Sequence, residues 1–170
     1  MNLELHFTIQ NLNARYGAAI DDDRLEAWPD FFTEDGRYRV TTAENFARGL
    51  PLGMIYATSR AMLRDRVHSL RDANVYEAQR YRHLIGLPLI DPLPFPAPLA
   101  GEGRVGEGGA IEAQSSFMVA RTMHTGETTL FATGRYLDRV VVDGDGVARF
   151  AEKIVVLDSR LIDTLLAIPL

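Results

Sequence analysis

The chain has no cysteine among its 170 residues. That absence excludes disulfides, thiolate nucleophiles, zinc–cysteine sites and cysteine-held iron–sulfur clusters on this polypeptide. Long hydrophobic runs are also missing: none approaches the ~20 residues of a membrane-spanning helix. The start, "MNLELHFTIQ", carries acids and no basic stretch, so no signal peptide is expected and the expectation is a soluble, cytoplasmic protein without a membrane partner. Excess positive charge is absent as well. A net charge of -5 argues against nucleic-acid binding, and aromatic residues are not interleaved with basic ones along a strand as RNA-reading sheets require. "GEGRVGEGG" precedes a strand and lacks the Lys–Ser/Thr pair of a phosphate loop, and no "GxSxG" nucleophile elbow occurs. Lysine is nearly absent, since Lys153 stands alone among 18 cations. Arginine dominates instead, and its flat guanidinium favours bidentate contacts at protein interfaces.

At 46% hydrophobic and 24% charged, the chain reads as one globular domain over residues 1–170. Helical spacing of Ile9, Leu12, Tyr16 and Ile20 predicts a helix over Leu3 to Ile20, with Asp21, Asp22 and Asp23 as a break. A short helix in "RLEAWPDFF", a turn at "EDG", a strand in "RYRV" and a short helix in "AENFA" follow. The next helix runs from about Thr58 to Asp72 with Leu63, Val67 and Leu70 as its apolar stripe. The period then becomes alternating: Tyr76 to Leu89 reads as a strand with Tyr81, His83, Ile85 and Leu87 on one face and Arg80, Arg82 and Leu84 on the other. Five prolines from Pro88 to Pro98 and then five glycines from Gly101 to Gly109 mark an excursion, Pro92 to Gly109. Three long strands close the chain, about Ile111–His124, Glu127–Val142 and Val147–Asp158, joined at "HTGET" and "DGDG". Gly134 is the candidate bulge that lets them curl. The tail "RLIDTLLAIPL" is too apolar to stand in water and is expected to dock on this chain or a neighbour. Helices first and a long antiparallel sheet after them make an α+β fold, the sheet curled into a cone with an internal pocket.

Two constellations carry chemistry. His68 and Asp72 share a helix face, which suits one half of a two-histidine-one-carboxylate metal site or a plain surface ion pair. His83, on a half-apolar strand, could serve as a general base assisted by Tyr38, Tyr136 or Asp138, or sit as a buried, hydrogen-bonded histidine. The stretch from Ser59 to Gly86 holds six arginines against three acids. Several flank the apolar helix stripe, which marks them as candidates for docking an acidic partner.

"WPDFFTEDGRYRVTTAENFARGLPLGMIY", "SRAMLRDRVHSLRDANVYEAQRYRHLIG" and "VLDSRLIDTLLAIPL", in that order, resemble the small (β) subunit of aromatic-ring-hydroxylating dioxygenases, the Rieske non-haem iron oxygenases. Arg66 matches the arginine of the family's "L-x-D-R" helix, and Arg82 with His83 match its "R-H" strand. The likeness is nearest to subunits of the terephthalate or salicylate type, and it lapses over Pro92 to Gly109. It implies a cone like that of nuclear transport factor 2 and scytalone dehydratase, and a non-catalytic, structural role in an α3β3 hexamer. The implied partners are a large (α) oxygenase subunit and other small subunits. The Rieske [2Fe-2S] cluster, the mononuclear Fe(II) and the aromatic carboxylate substrate would then belong to the large subunit, with electrons from NAD(P)H through a reductase. No catalytic, cofactor or metal residue is expected on this chain. Arg60, Arg64, Arg66, Arg71, Arg80, Arg82 and His83 are the expected interface residues. The alternative is a stand-alone, cofactor-free dehydratase or isomerase with His83 as base.

Overall fold

The computed structural model describes residues 3–50, 53–72, 77–90, 109–161 and 166–170. Helix α1 (Leu3–Asp21) buries Ile9, Leu12, Tyr16 and Ile20, the stripe its spacing predicts. A 3-10 helix (Leu25–Phe31) takes the place of a regular second helix because Pro29 lies inside it. Strand β1 (Phe32–Thr42) is longer than "RYRV". The expected "EDG" turn is instead a wide bulge within β1, between Phe32 and Arg37. Helix α2 (Ala43–Ala47) starts where the Thr42 hydroxyl accepts the Asn45 N–H at 3.2 Å. Strand β2 (Ile55–Ala57) and helix α3 (Arg60–Asp72) follow, and α3 buries Leu63, Val67 and Leu70.

The strand expected over Tyr76 to Leu89 is shorter, β3 (Gln79–Ile85), with a two-residue β4 (Leu89–Ile90) after a break at Gly86, Leu87 and Pro88. Leu87 consequently leaves the inward face and is 74% exposed. Tyr76 and the Pro92–Gly109 excursion, but for Gly109, lie outside the described residues. Strands β5 (Ile111–Met123), β6 (Thr128–Val142) and β7 (Ala148–Leu157) form the expected meander. Gly126 (φ 90°) and Gly146 (φ 80°) supply the left-handed backbone its two hairpin turns require.

The described strands make one seven-stranded sheet of order β2-β1-β7-β6-β5-β3, with β4 beside β5. All its pairings are antiparallel save one, because β1 runs parallel to β7. Gly134 is not a bulge. A Cβ there would meet the Val156 carbonyl oxygen at 2.1 Å, so glycine permits a close backbone approach at the sheet's bend. The bulges fall at Phe131, skipped between the Val119 and Ala120 pairings, and at Ala151, skipped between those of Arg139 and Val140. The concave face closes over the helices as a cone with one apolar core.

The tail docks on its own chain. Leu166, Ala167, Ile168 and Leu170 are buried. The Leu170 carbonyl accepts from the hydroxyls of Tyr16 at 2.7 Å and Tyr38 at 3.0 Å, and its N–H donates to the Tyr38 hydroxyl.

Candidate functional site

The arginines divide by where their protons go. Arg60 donates to the Phe32 carbonyl at 2.9 Å and pairs with Glu34. Arg66 donates to the carbonyls of Leu166 and Ala167, each at 3.0 Å, so it clasps the tail; partial burial lowers its pKa. Arg71 forks onto Glu26 at 2.7 Å and Asp23 at 2.9 Å, which holds the Glu26 carboxyl below its ordinary value. These three, expected at a subunit contact, are engaged within the chain. Arg64 is exposed and only loosely paired, 3.5 Å from Asp30. Arg80 and Arg82 are exposed on β3, Arg82 by 70%. His68 and Asp72 are exposed on α3. Among the described residues, no three His, Cys, Asp or Glu side chains gather where they could hold a metal.

His83 has a partner the spacing did not suggest. Asp21, expected to break α1, is its last residue and is buried. Its Oδ1 lies 2.6 Å from His83 Nδ1, and its Oδ2 accepts the His83 backbone N–H at 2.9 Å. A carboxylate at a helix C-terminus opposes the helix dipole, and these two contacts offset that. They also occupy a backbone donor of an edge strand, β3. The His83 side chain is 1% exposed, and among the described residues its Nε2 has no hydrogen-bond partner. His83, Asp21 and Arg82 line a cleft of about 320 Å³ between α1 and β3, with Gln10, Asn13, Ala14, Gly17, Ile85 and Gly86.

Of the groups expected to assist His83, Tyr38 and Asp138 are committed elsewhere, while the buried Tyr136 hydroxyl has no hydrogen-bond partner among the described residues. Tyr38 holds Leu170. Asp138 holds Lys153, whose Nζ lies 3.0 and 3.1 Å from the two carboxylate oxygens and 3.2 Å from Asn13 Oδ1. Both members of this pair are fully buried. Burial raises the Asp138 pKa and lowers that of Lys153, while their attraction works against both shifts. The ammonium also sits over the rings of Tyr136 (3.9 Å), Phe150 (4.2 Å) and Tyr16 (4.7 Å). Tyr16 packs edge-on to Phe32 and Phe150, and Tyr38 edge-on to Trp28 and Phe32. Among the described residues these large side chains are fully buried in the core of the cone, where an internal pocket was expected. Lys153 was missed, although the signal was present: it shares the two-residue period of Val155 and Leu157, which face the core.

A family model described as a SnoaL-like domain matches residues 1–153. The β1 subunit of the terminal oxygenase component of terephthalate 1,2-dioxygenase from Comamonas sp. is 46% identical over 162 residues, covering 95% of this chain and 96% of the relative. The small subunit of anthranilate 1,2-dioxygenase from Burkholderia cepacia is 38% identical over 170 residues, 99% of this chain and 96% of that one. Among solved structures, a β subunit assigned to an aromatic-ring-hydroxylating dioxygenase of Novosphingobium aromaticivorans superposes with a TM-score of 0.82 at 37% identity, covering 99% of this chain and 98% of the other.

Proposed function

The chain belongs to the SnoaL-like family and, within it, to the small (β) subunits of aromatic-ring-hydroxylating dioxygenases; on that premise we propose that it is the non-catalytic assembly subunit of such an oxygenase. The observation that carries this reading is the 46% identity extending over 95% of the chain and 96% of the terephthalate dioxygenase subunit. The two relatives described above carry the name of an aromatic carboxylate, terephthalate or anthranilate, and the proposed substrate of the assembled enzyme is of that class.

The chemistry then belongs to a large subunit. A Rieske cluster takes two cysteines and two histidines, and this chain has no cysteine. The Rieske [2Fe-2S] cluster is therefore assigned to the large subunit, and we place the mononuclear Fe(II) there with it, fed by NAD(P)H through a reductase. Three large and three small chains would form an α3β3 hexamer in which small subunits also meet one another about a three-fold axis, and the cytoplasm is the proposed compartment. Among the described residues no helix is long and apolar enough to cross a membrane. The proposed contact surface includes the outward Arg64, Arg80 and Arg82; Arg60, Arg66 and Arg71 serve it by fixing the elements around it. The rival reading, a dehydratase or isomerase with His83 as base, loses two of its expected helpers, because Tyr38 is bound to Leu170 and Asp138 to Lys153.

Co-expression with the cognate large subunit, followed by native mass measurement, tests the proposal. The expected product is a hexamer whose turnover per intact complex changes less than its yield when Arg82 becomes alanine. Steady turnover by the small chain alone would overturn it.

A further inference from the structure

We infer that the cleft between α1, the 3-10 helix and the start of β7 binds a small carboxylate anion with an apolar body. The cleft holds about 420 Å³, and three arginines line it, Arg15, Arg24 and Arg149, together with Leu12, Ala27 and Phe31. The site is built from residues of this chain alone and is independent of the assembly reading. What marks its arginines is how little of each the chain uses. A guanidinium has five N–H donors. Elsewhere they are spent on the chain itself: Arg66 donates to two tail carbonyls, Arg71 reaches Glu26 and Asp23, and Arg139 reaches Glu112 and Glu152. Arg15, by contrast, is exposed and among the described residues makes no side-chain hydrogen bond or ion pair. The Arg24 guanidinium has one contact, 3.4 Å from Asp22, and both of those side chains are more than half exposed. Arg149 uses only Nη1, 2.8 Å from Asp143, whose other oxygen accepts the N–H groups of Asp145 and Val147 in the hairpin.

Charge and surface together select the ligand class. The lining contains one acid, Asp30, which is 68% exposed and lies 3.5 Å from Arg64, outside the cleft. Asp22 and Asp143 match Arg24 and Arg149. One positive charge, that of Arg15, is left over, and a single negative charge balances it. A carboxylate also suits the forked donors that Arg15 and Arg24 leave open. Beneath the arginines the lining is apolar. Leu12 is 6% exposed, and Phe31 is half-buried and held edge-on by Tyr16 with ring centroids 6.0 Å apart. A fully hydrated oxyanion such as phosphate leaves that floor wet, and a neutral ring leaves the guanidiniums unpaired. An apolar body carrying one carboxylate uses both, in a cleft of the size that takes small ligands.

The test is an NMR titration of the full chain with benzoate, benzamide and inorganic phosphate, read at the amides of Ala18, Ala27 and Ala148, which line the cleft. Benzoate should saturate at about 1 mM, with benzamide and phosphate each about tenfold weaker or more. Arg15→Gln and Arg24→Gln should each weaken benzoate by a few-fold, and the double variant by about tenfold. Arg48→Gln, an exposed arginine outside the cleft, is the control and should change nothing. Both cleft positions are exposed, and the thermal midpoint establishes that each variant is folded. Benzoate binding no tighter than benzamide or phosphate, or unchanged in the double variant, overturns the inference. No benzoate binding to the wild-type chain, with loss of the hexamer when the double variant is co-expressed with the large subunit, also overturns it and gives the cleft to a protein partner. Failure of the wild-type chain to join the large subunit bears on the assembly reading alone and leaves the titration to decide this site.

Discussion

The interior of the cone and its α1–β3 flank both hold a buried acid–base pair, and the two pairs are finished differently. Inside, Asp138 and Lys153 are direct cross-strand partners of β6 and β7. Asn13 of α1 and three aromatic rings complete the coordination of the Lys153 ammonium. On the flank, Asp21 and His83 join a helix to a strand, and the buried His83 Nε2 has no hydrogen-bond partner among the described residues. A charged pair enclosed on all sides fixes which elements meet, and such a pair has no spare valence for a ligand. The interior pair is thus complete, whereas the flank pair leaves one ring nitrogen without a partner among the described residues.

The largest expected effect breaks the enclosed pair. Lys153→Ala leaves Asp138 buried without its cation and should cost about 3–5 kcal/mol, read by chemical denaturation. Replacing both, Lys153→Met with Asp138→Leu, should recover most of that loss, because no uncompensated charge remains. Tyr38→Phe comes next. It removes the hydroxyl that both donates to and accepts from Leu170, for about 1–3 kcal/mol in the same assay.

Tyr38 also gives the interior a pH signature. Burial pushes its pKa from 10.0 to about 12. A folded-state value above the unfolded one means that the stabilisation is fully present below pH 10 and is lost as pH rises from 10 to about 12. Burial raises Tyr16 and Tyr136 in the same direction. Alkaline unfolding monitored by circular dichroism should therefore show a shallower pH slope in Tyr38→Phe. Arg66→Met, which releases the Leu166 and Ala167 carbonyls, should cost about 1–2 kcal/mol and raise protease cleavage of the tail. The smallest effect is Arg71→Ala: its pairs with Glu26 and Asp23 lie in solvent, and a loss of at most ~1 kcal/mol is expected from the thermal midpoint.

Much of the fold was legible because period and punctuation agree. The α1 stripe and the three long strands follow from side-chain spacing, and the hairpins from glycines that take positive φ. The parallel pairing of β1 with β7 was not legible, since pairing between strands more than a hundred residues apart leaves no local trace. Gly134 looked like a bulge because a mid-strand glycine signals either a bulge or a close approach, and only the fold separates the two. At the site, Arg82 and His83 were singled out by sequence, but their neighbour Asp21 was read as punctuation. Three consecutive aspartates after a helix pattern look like a loop, and nothing local shows that the first of them is buried against a strand some 60 residues away. Arg66 reads in the sequence as a partner contact because an arginine beside an apolar seam looks alike whether the second surface is another chain or the chain's own tail.

The central claim is that this chain supplies shape and adhesion while redox chemistry belongs to its partner. The most direct measurement is an iron count on each chain after a catalytically active complex has been separated. The account predicts that all the iron travels with the large subunit and that the small subunit alone gives no turnover. Stoichiometric iron retained by the small chain would contradict it.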